Sequence, residues 1–150
     1  MSGIKDIWPY AHNIIRTSRQ LINDELKPLG LSSAEGNILL HLLTLEQHPP
    51  QEHIVETLDI SKPAVSRALE SLEAKGYIRR IQDKADKRAK RVYLTAKARQ
   101  IGPQLEQIYS HVFSIGAQGI SEDEIREFIG LFARVSANFS AARENRRSSE

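Results

Sequence analysis

Between Gln51 and Arg80 two helical periods stand only three residues apart, and the pattern then changes to that of a short strand. Few folds accept that order. The first helix, Gln51 to Leu58, turns Ile54, Val55 and Leu58 inward. After Asp59-Ile60-Ser61 a second helix runs to Gly76. Ser61 suits its cap, and Pro63 is tolerated in the first turn, where a backbone N–H has no helical partner to lose. At 100° per residue Val65, Leu69 and Leu72 share a face that packs on Ile54, Val55 and Leu58, the outline of a helix-turn-helix. The opposite face carries Pro63, Arg67 and Ser71, with Lys62 and Ser66 at its flanks. Glu70 on this face points sideways, pairs with a neighbouring cation, or accepts from a cytosine amine.

The stretch that follows reads as an antiparallel hairpin: Tyr77 to Gln82 and Lys90 to Thr95 are short and rich in Ile, Val, Tyr and Leu. Its tip, Asp83 to Arg91, holds five Lys/Arg in nine residues: Lys84, Lys87, Arg88, Lys90 and Arg91. Asp86 would repel phosphate if free, so we expect it to hold the Arg88 guanidinium by a charge-assisted hydrogen bond. Charge is segregated along the chain as well. Ser61 to Arg99 contains twelve Lys/Arg and four Asp/Glu, an excess of +8, although the whole chain carries only +2. Positive charge gathered in this way suits a polyanion, nucleic acid before anionic lipid. A hydroxyl-and-guanidinium helix reads base edges, and a basic ribbon enters a narrow minor groove. Arg67 suits a bidentate contact to guanine, while Ser61, Lys62 and Ser66 suit phosphates, and Gln51 at the start of the preceding helix joins the contact set.

The flanking segments are helical. Ile7 to Leu29 carries one apolar stripe, Ile7, Ala11, Ile14, Ile15, Leu21, Ile22 and Leu26, closed by Pro28 and Gly30. The next helix opens on a capping box, Ser32 with Glu35, and stops before Pro49-Pro50. A long helix from about Ala96 to Gln118 is expected to bend at Gly102-Pro103. A last helix starts at a second capping box, Ser121 with Glu124, and is expected to bury Ile125, Phe128, Ile129, Phe132, Val135 and Phe139 before a loose tail from Ala142 to Glu150.

Other chemistries find little support. With no cysteine there is no disulfide, thiolate nucleophile or thiol redox sensor. No pair of the five histidines has the i, i+4 spacing of a helical metal site, so neither a metal nor another cofactor is expected. His41, set among leucines, reads as a partly buried, hydrogen-bonded side chain. A glycine-rich phosphate loop, a nucleophile elbow and a spaced acid pair are all missing, which points away from an enzyme and leaves no catalytic residue to name. No apolar run approaches the roughly 18 residues of a membrane span. MSGIKDIWPY lacks a cleavable apolar segment, so the expected compartment is the cytoplasm.

The chain resembles the MarR-type winged-helix transcriptional regulators over nearly its whole length. The resemblance is sharpest in SKPAVSRALESLEAKGYIRR and in DKADKRAKRVYLT, where Asp86, Arg88, Val92, Leu94 and Thr95 match the family's wing pattern. Ala98 replaces the family's usual glycine and Lys84 a frequent proline. The resemblance implies a mainly α fold with a small β-hairpin wing (α+β), a winged helix-turn-helix over 31–95, with dimerisation helices at 1–30 and 96–145. It further implies a homodimer on a palindromic site in double-stranded DNA, usually as a repressor, with Ile7, Trp8, Ile14, Ile15, Phe128, Phe132 and Phe139 at the interface. Release by a small aromatic or anionic effector is also implied, at a region where His12, Arg16, Asn37 and His41 supply polar groups. The competing reading is a winged-helix protein-interaction module whose basic wing binds an acidic partner.

Overall fold

A computed structural model describes residues 3–58 and 60–149. After a short 3₁₀ turn, Ile4–Asp6, the elements are α1 (Ile7–Leu26), α2 (Ser33–Thr44), α3 (Gln51–Leu58), α4 (Lys62–Ala74), β1 (Ile78–Gln82), β2 (Lys90–Leu94), α5 (Ala96–Gly116) and α6 (Glu122–Arg147). Six helices and a two-stranded antiparallel hairpin are the winged helix-turn-helix that the sequence predicts. Asp59, between α3 and α4 in the sequence, lies outside the described residues.

The chain divides after Val112 into two compact units. In the first, α1 gives way at Leu26 to a 3₁₀ turn, Lys27–Leu29, because Pro28 cannot extend the α-helical ladder; Gly30 closes it with φ +69°. The Ser32–Glu35 capping box is present, with the Glu35 N–H donating to Ser32 Oγ at 3.2 Å. α2 is the central helix: Glu35, Gly36, Ile38, Leu39 and Leu42 are all buried. Ile54 of α3 and Val65, Leu69 and Leu72 of α4 join them in the core, as the spacing requires. Ile78 and Val92 pin the hairpin to the same core, and Leu105, Tyr109 and Val112 add one stripe of α5. Burial of such a side chain stabilises the fold by about 1.5–3 kcal/mol.

The hairpin register pairs Ile78 with Leu94, Arg80 with Val92 and Gln82 with Lys90. The strands are joined by a neighbour outside the hairpin. Pro50 forms an antiparallel bridge with Arg91, and the Val92 N–H donates to the Pro49 carbonyl at 3.0 Å, so the α2–α3 connection lies along β2. An edge that would otherwise offer unpaired groups is thereby covered. α5 runs without a break through Pro103.

The second unit consists of the end of α5 and α6. Gly119, at φ +77°, turns the chain, and Ser121 with Glu124 closes the second capping box. Two expectations are corrected here. α6 buries none of its residues: Phe128, Ile129, Phe132 and Phe139 are all exposed, since one helix cannot cover its own apolar stripe. And the tail is helical as far as Arg147, with Arg146 and Arg147 in the last turn, where cations offset the helix dipole.

Candidate nucleic-acid interface

α4 begins where Ser61 turns from extended to helical backbone and its hydroxyl accepts the Ala64 N–H at 3.3 Å. Burial of Val65, Ala68, Leu69 and Leu72 leaves Lys62, Pro63, Ser66, Arg67 and Glu70 exposed. Their positions follow from helical periodicity alone. Ser71 does not join them: it is half-buried and donates its hydroxyl to Glu35 Oε2 at 3.2 Å. An outward contact from Ser71 is replaced by an inward one because the row it occupies winds toward α2.

The wing tip is shaped by its own side chains. Asp83 Oδ1 accepts the Ala85 N–H at 3.1 Å, and Asp86 Oδ1 accepts the Arg88 N–H at 3.0 Å, two turns of the Asx kind. Asp86 thus orders the backbone of Arg88, where a bond to its guanidinium was expected; the short side chain reaches the nearby amide first. The Gln82 side-chain amide donates to the Lys87 carbonyl and ties the tip across. Lys84, Lys87, Arg88 and Lys90 are left exposed. Arg91 behaves differently. Its Nε lies 3.1 Å from Asp83 Oδ2 and its Nη1 donates to the His48 carbonyl at 2.7 Å, while His48 stacks on Tyr93 with ring centres 4.0 Å apart. Arg91 therefore anchors the wing to the α2–α3 connection rather than standing free for a ligand. The Ala85 amide and the Arg91 guanidinium hold the Asp83 carboxyl below the usual carboxylate range.

Helix and wing face a shared cleft of about 520 Å³, lined among others by Gln51, Lys62, Asp86, Arg88 and Lys90. Arg80 also lines it, a residue that sequence reasoning missed. Its Nη2 pairs with Glu73 Oε1 at 3.1 Å and its backbone N–H donates to the other carboxylate oxygen at 2.8 Å, so Glu73 is held below its ordinary pKa. Arg80 Nε is buried without a hydrogen-bond partner among the described residues. The only available signal was strand alternation, which separates Arg80 from the exposed Arg79.

The segment 29–89, from the end of α1 to the wing, matches the family model for the MarR family. Over 90% of this chain and 98% of its own, the solved transcriptional regulator PA3341 is similar, with 30% identity and a TM-score of 0.80. This chain belongs to the MarR family. A MarR-family transcriptional regulator of Listeria monocytogenes, solved in complex with 26mer DNA, is similar at 27% identity and a TM-score of 0.79, covering 95% of this chain and 92% of that one. A MarR transcriptional regulator of Methanosarcina mazei Go1, at 24% identity, shares the fold with a TM-score of 0.86 over 95% and 94% of the two chains. The chain is thus a MarR-family transcriptional regulator.

Within this MarR-family chain the four residues expected at an effector site part company. His12 and Arg16 are exposed on α1, where the Arg16 guanidinium donates to Asn13 Oδ1 at 3.2 Å. Asn37 accepts the Tyr109 hydroxyl at 2.6 Å and lines a cleft of about 260 Å³ with Arg19, Ser33, Ala34 and Ile60. Arg19, not Arg16, is the cation there. His41 lies against His53, with ring centres 5.7 Å apart, and its Nε2 is buried without a partner among the described residues, contrary to the hydrogen bond expected of it. Burial, and then the neighbouring His53, lower the His41 pKa. Of the expected interface residues Ile7 is half-buried, whereas Trp8, Ile14, Ile15, Phe128, Phe132 and Phe139 are exposed. Among the described residues no cluster of three metal-ligating side chains occurs, and no helix is long and apolar enough to cross a membrane.

Proposed function

We propose that this MarR-family regulator binds double-stranded DNA sequence-specifically as a homodimer, acts on a palindromic operator as a repressor, and releases it when a small aromatic or anionic effector binds. The observation that carries this reading is the cleft where the outer face of α4 and the basic wing tip meet: Gln51, Lys62, Arg88 and Lys90 share it, with Ser66 and Arg67 exposed on the same helix. Ser61, Lys62, Pro63, Ser66 and Arg67 are assigned to the major groove and its phosphates, and Lys84, Lys87, Arg88 and Lys90 to the adjacent groove. The 26mer DNA in the structure of the Listeria relative supports DNA as the ligand.

Residues 31–95 form the DNA-binding lobe in this reading, with 1–30 and 96–145 as dimerisation segments. The exposed Trp8, Ile14, Ile15, Phe128, Phe132 and Phe139 support it, because a monomer seldom leaves so many large apolar groups in water. Two-fold symmetry then places the half-sites roughly 34–36 Å apart. The Asn37 cleft is the effector site we favour, with Arg19 as the counter-charge for an anion.

Salt titration on duplexes selected from a random pool is the decisive test. A dimer touching about 6–10 phosphates loses about 10³–10⁵ in affinity between about 50 and 200 mM salt while still preferring its selected sequence. Weak binding without preference on every duplex would favour the protein-interaction module instead.

A further inference from the structure

Among the described residues Glu35 is the one charged residue that is buried, 6% exposed, and it is not part of the basic surface. Its carboxylate accepts four hydrogen bonds: the Ser32 N–H on Oε1 at 3.2 Å, the Ser71 hydroxyl on Oε2 at 3.2 Å, and the Lys75 amine on both oxygens at 3.1 and 2.9 Å. The same amine donates to the Gly30 carbonyl at 2.7 Å. Lys75 is the C-cap of α4, and its own carbonyl accepts the Lys97 amine at 2.6 Å. One carboxylate thus ties the α1–α2 corner and the first turn of α2 to the last turn of α4, and Lys75 extends the tie to the start of α5.

With Glu35 buried and the Lys75 side chain 37% exposed, the pair is a poor source of stability, because desolvation of the carboxylate offsets most of the attraction; apolar residues of equal volume often serve as well or better. Its distinguishing property is direction. The apolar contacts of Val65, Leu69 and Leu72 allow a helix to slide or roll, whereas hydrogen bonds of fixed length at Ser71 and Lys75 do not. Arg67, Ser71 and Lys75 follow one another at four-residue spacing, so the row that begins at the exposed Arg67 winds directly into this knot.

We propose that Glu35 is a positioning residue that, through Ser71 and Lys75, sets the roll and axial placement of α4 and thereby determines sequence discrimination without touching DNA. The proposal rests on the DNA-binding reading above. A displacement of the Arg67 side chain by a fraction of a turn leaves its charge near phosphate but takes its fork off a base edge. Loss of the knot therefore weakens the reading of sequence more than the attraction to the polyanion.

The test compares wild type with the double variant Glu35→Met/Lys75→Met, measuring urea midpoint, affinity for a selected duplex and for its scrambled counterpart, and the salt slope of each. Wild type is measured first, and a wild type without sequence preference defeats the DNA-binding reading itself. Given that preference, we expect the double variant to keep or raise its urea midpoint and to keep its salt slope. Its selected-to-scrambled ratio falls by about tenfold or more, the factor that one misread base pair costs. A folded double variant with an unchanged ratio overturns the proposal. Should it fail to fold, Glu35→Gln, which retains shape and the acceptor for Ser71, takes its place under the same criterion. Failure of both to fold overturns the proposal too, because the knot would then hold the fold rather than aim the helix.

Discussion

Arg67 stands exposed on α4 one turn before the half-buried Ser71, which bonds to Glu35, and it is the residue we propose to read a base. Arg67→Ala is expected to cost about 1–3 kcal/mol in DNA affinity and to relax preference at one base position, as read by competition among single-base operator variants. Arg88→Ala, on an ordered tip, should weaken binding evenly across the same variants; an equal, unselective loss in both would contradict the two assignments. His41 carries a pH effect. Its folded pKa lies below the ordinary histidine value, so the unfolded chain binds the proton more readily. The stabilisation is complete above the ordinary value and is lost as pH falls from there toward the folded value. Thermal unfolding of His41→Phe across that window should show a shallower decline than wild type.

At the scale of elements, α2 is held by close approach as much as by its capping box. A Cβ added at Gly36 would meet Leu26 Cδ1 at 2.7 Å and the Tyr109 hydroxyl at 2.8 Å, and both side chains are buried. Gly36→Ala should therefore destabilise the protein by about 1–3 kcal/mol in urea unfolding, despite alanine's better helix propensity. Caps and periods of this kind were plain in the sequence. Ser32 with Glu35 and Ser121 with Glu124 are contacts between residues three apart, which any chain of that sequence brings together. The element ends were less so: Pro28 lies in a 3₁₀ turn after α1, and α6 runs five residues past Ala142, because the last turn of a helix depends on local hydrogen bonds that period alone does not count.

For the whole molecule, the exposed apolar side chains on α1 and α6 carry the proposed homodimer interface. Phe128→Glu with Phe132→Glu is expected to convert a dimer into a monomer in sedimentation velocity and to abolish tight operator binding together with it. The two rings stack with centres 5.2 Å apart on the exposed face, so the change adds charge without opening an internal cavity. Sequence periodicity located this stripe and expected it to be buried; in the single chain it is exposed. A hydrophobic row marks a surface that must be covered, and says nothing about whether the cover comes from the same chain.

Taken alone, the order of residues settled the helices, the hairpin and, Ser71 apart, the side of α4 that faces outward, since each follows from neighbours a turn or a strand apart. Tertiary structure decided how the charged and hydroxyl groups are used. Ser71 turns to Glu35, Arg91 to Asp83 and the His48 carbonyl, and Arg80 to Glu73, and each bond joins segments that only folding brings together. The physical reason is reach: a period encodes direction from one backbone, whereas an ion pair between segments needs the partner's charged group at about 3 Å, and that position is a property of the packed core.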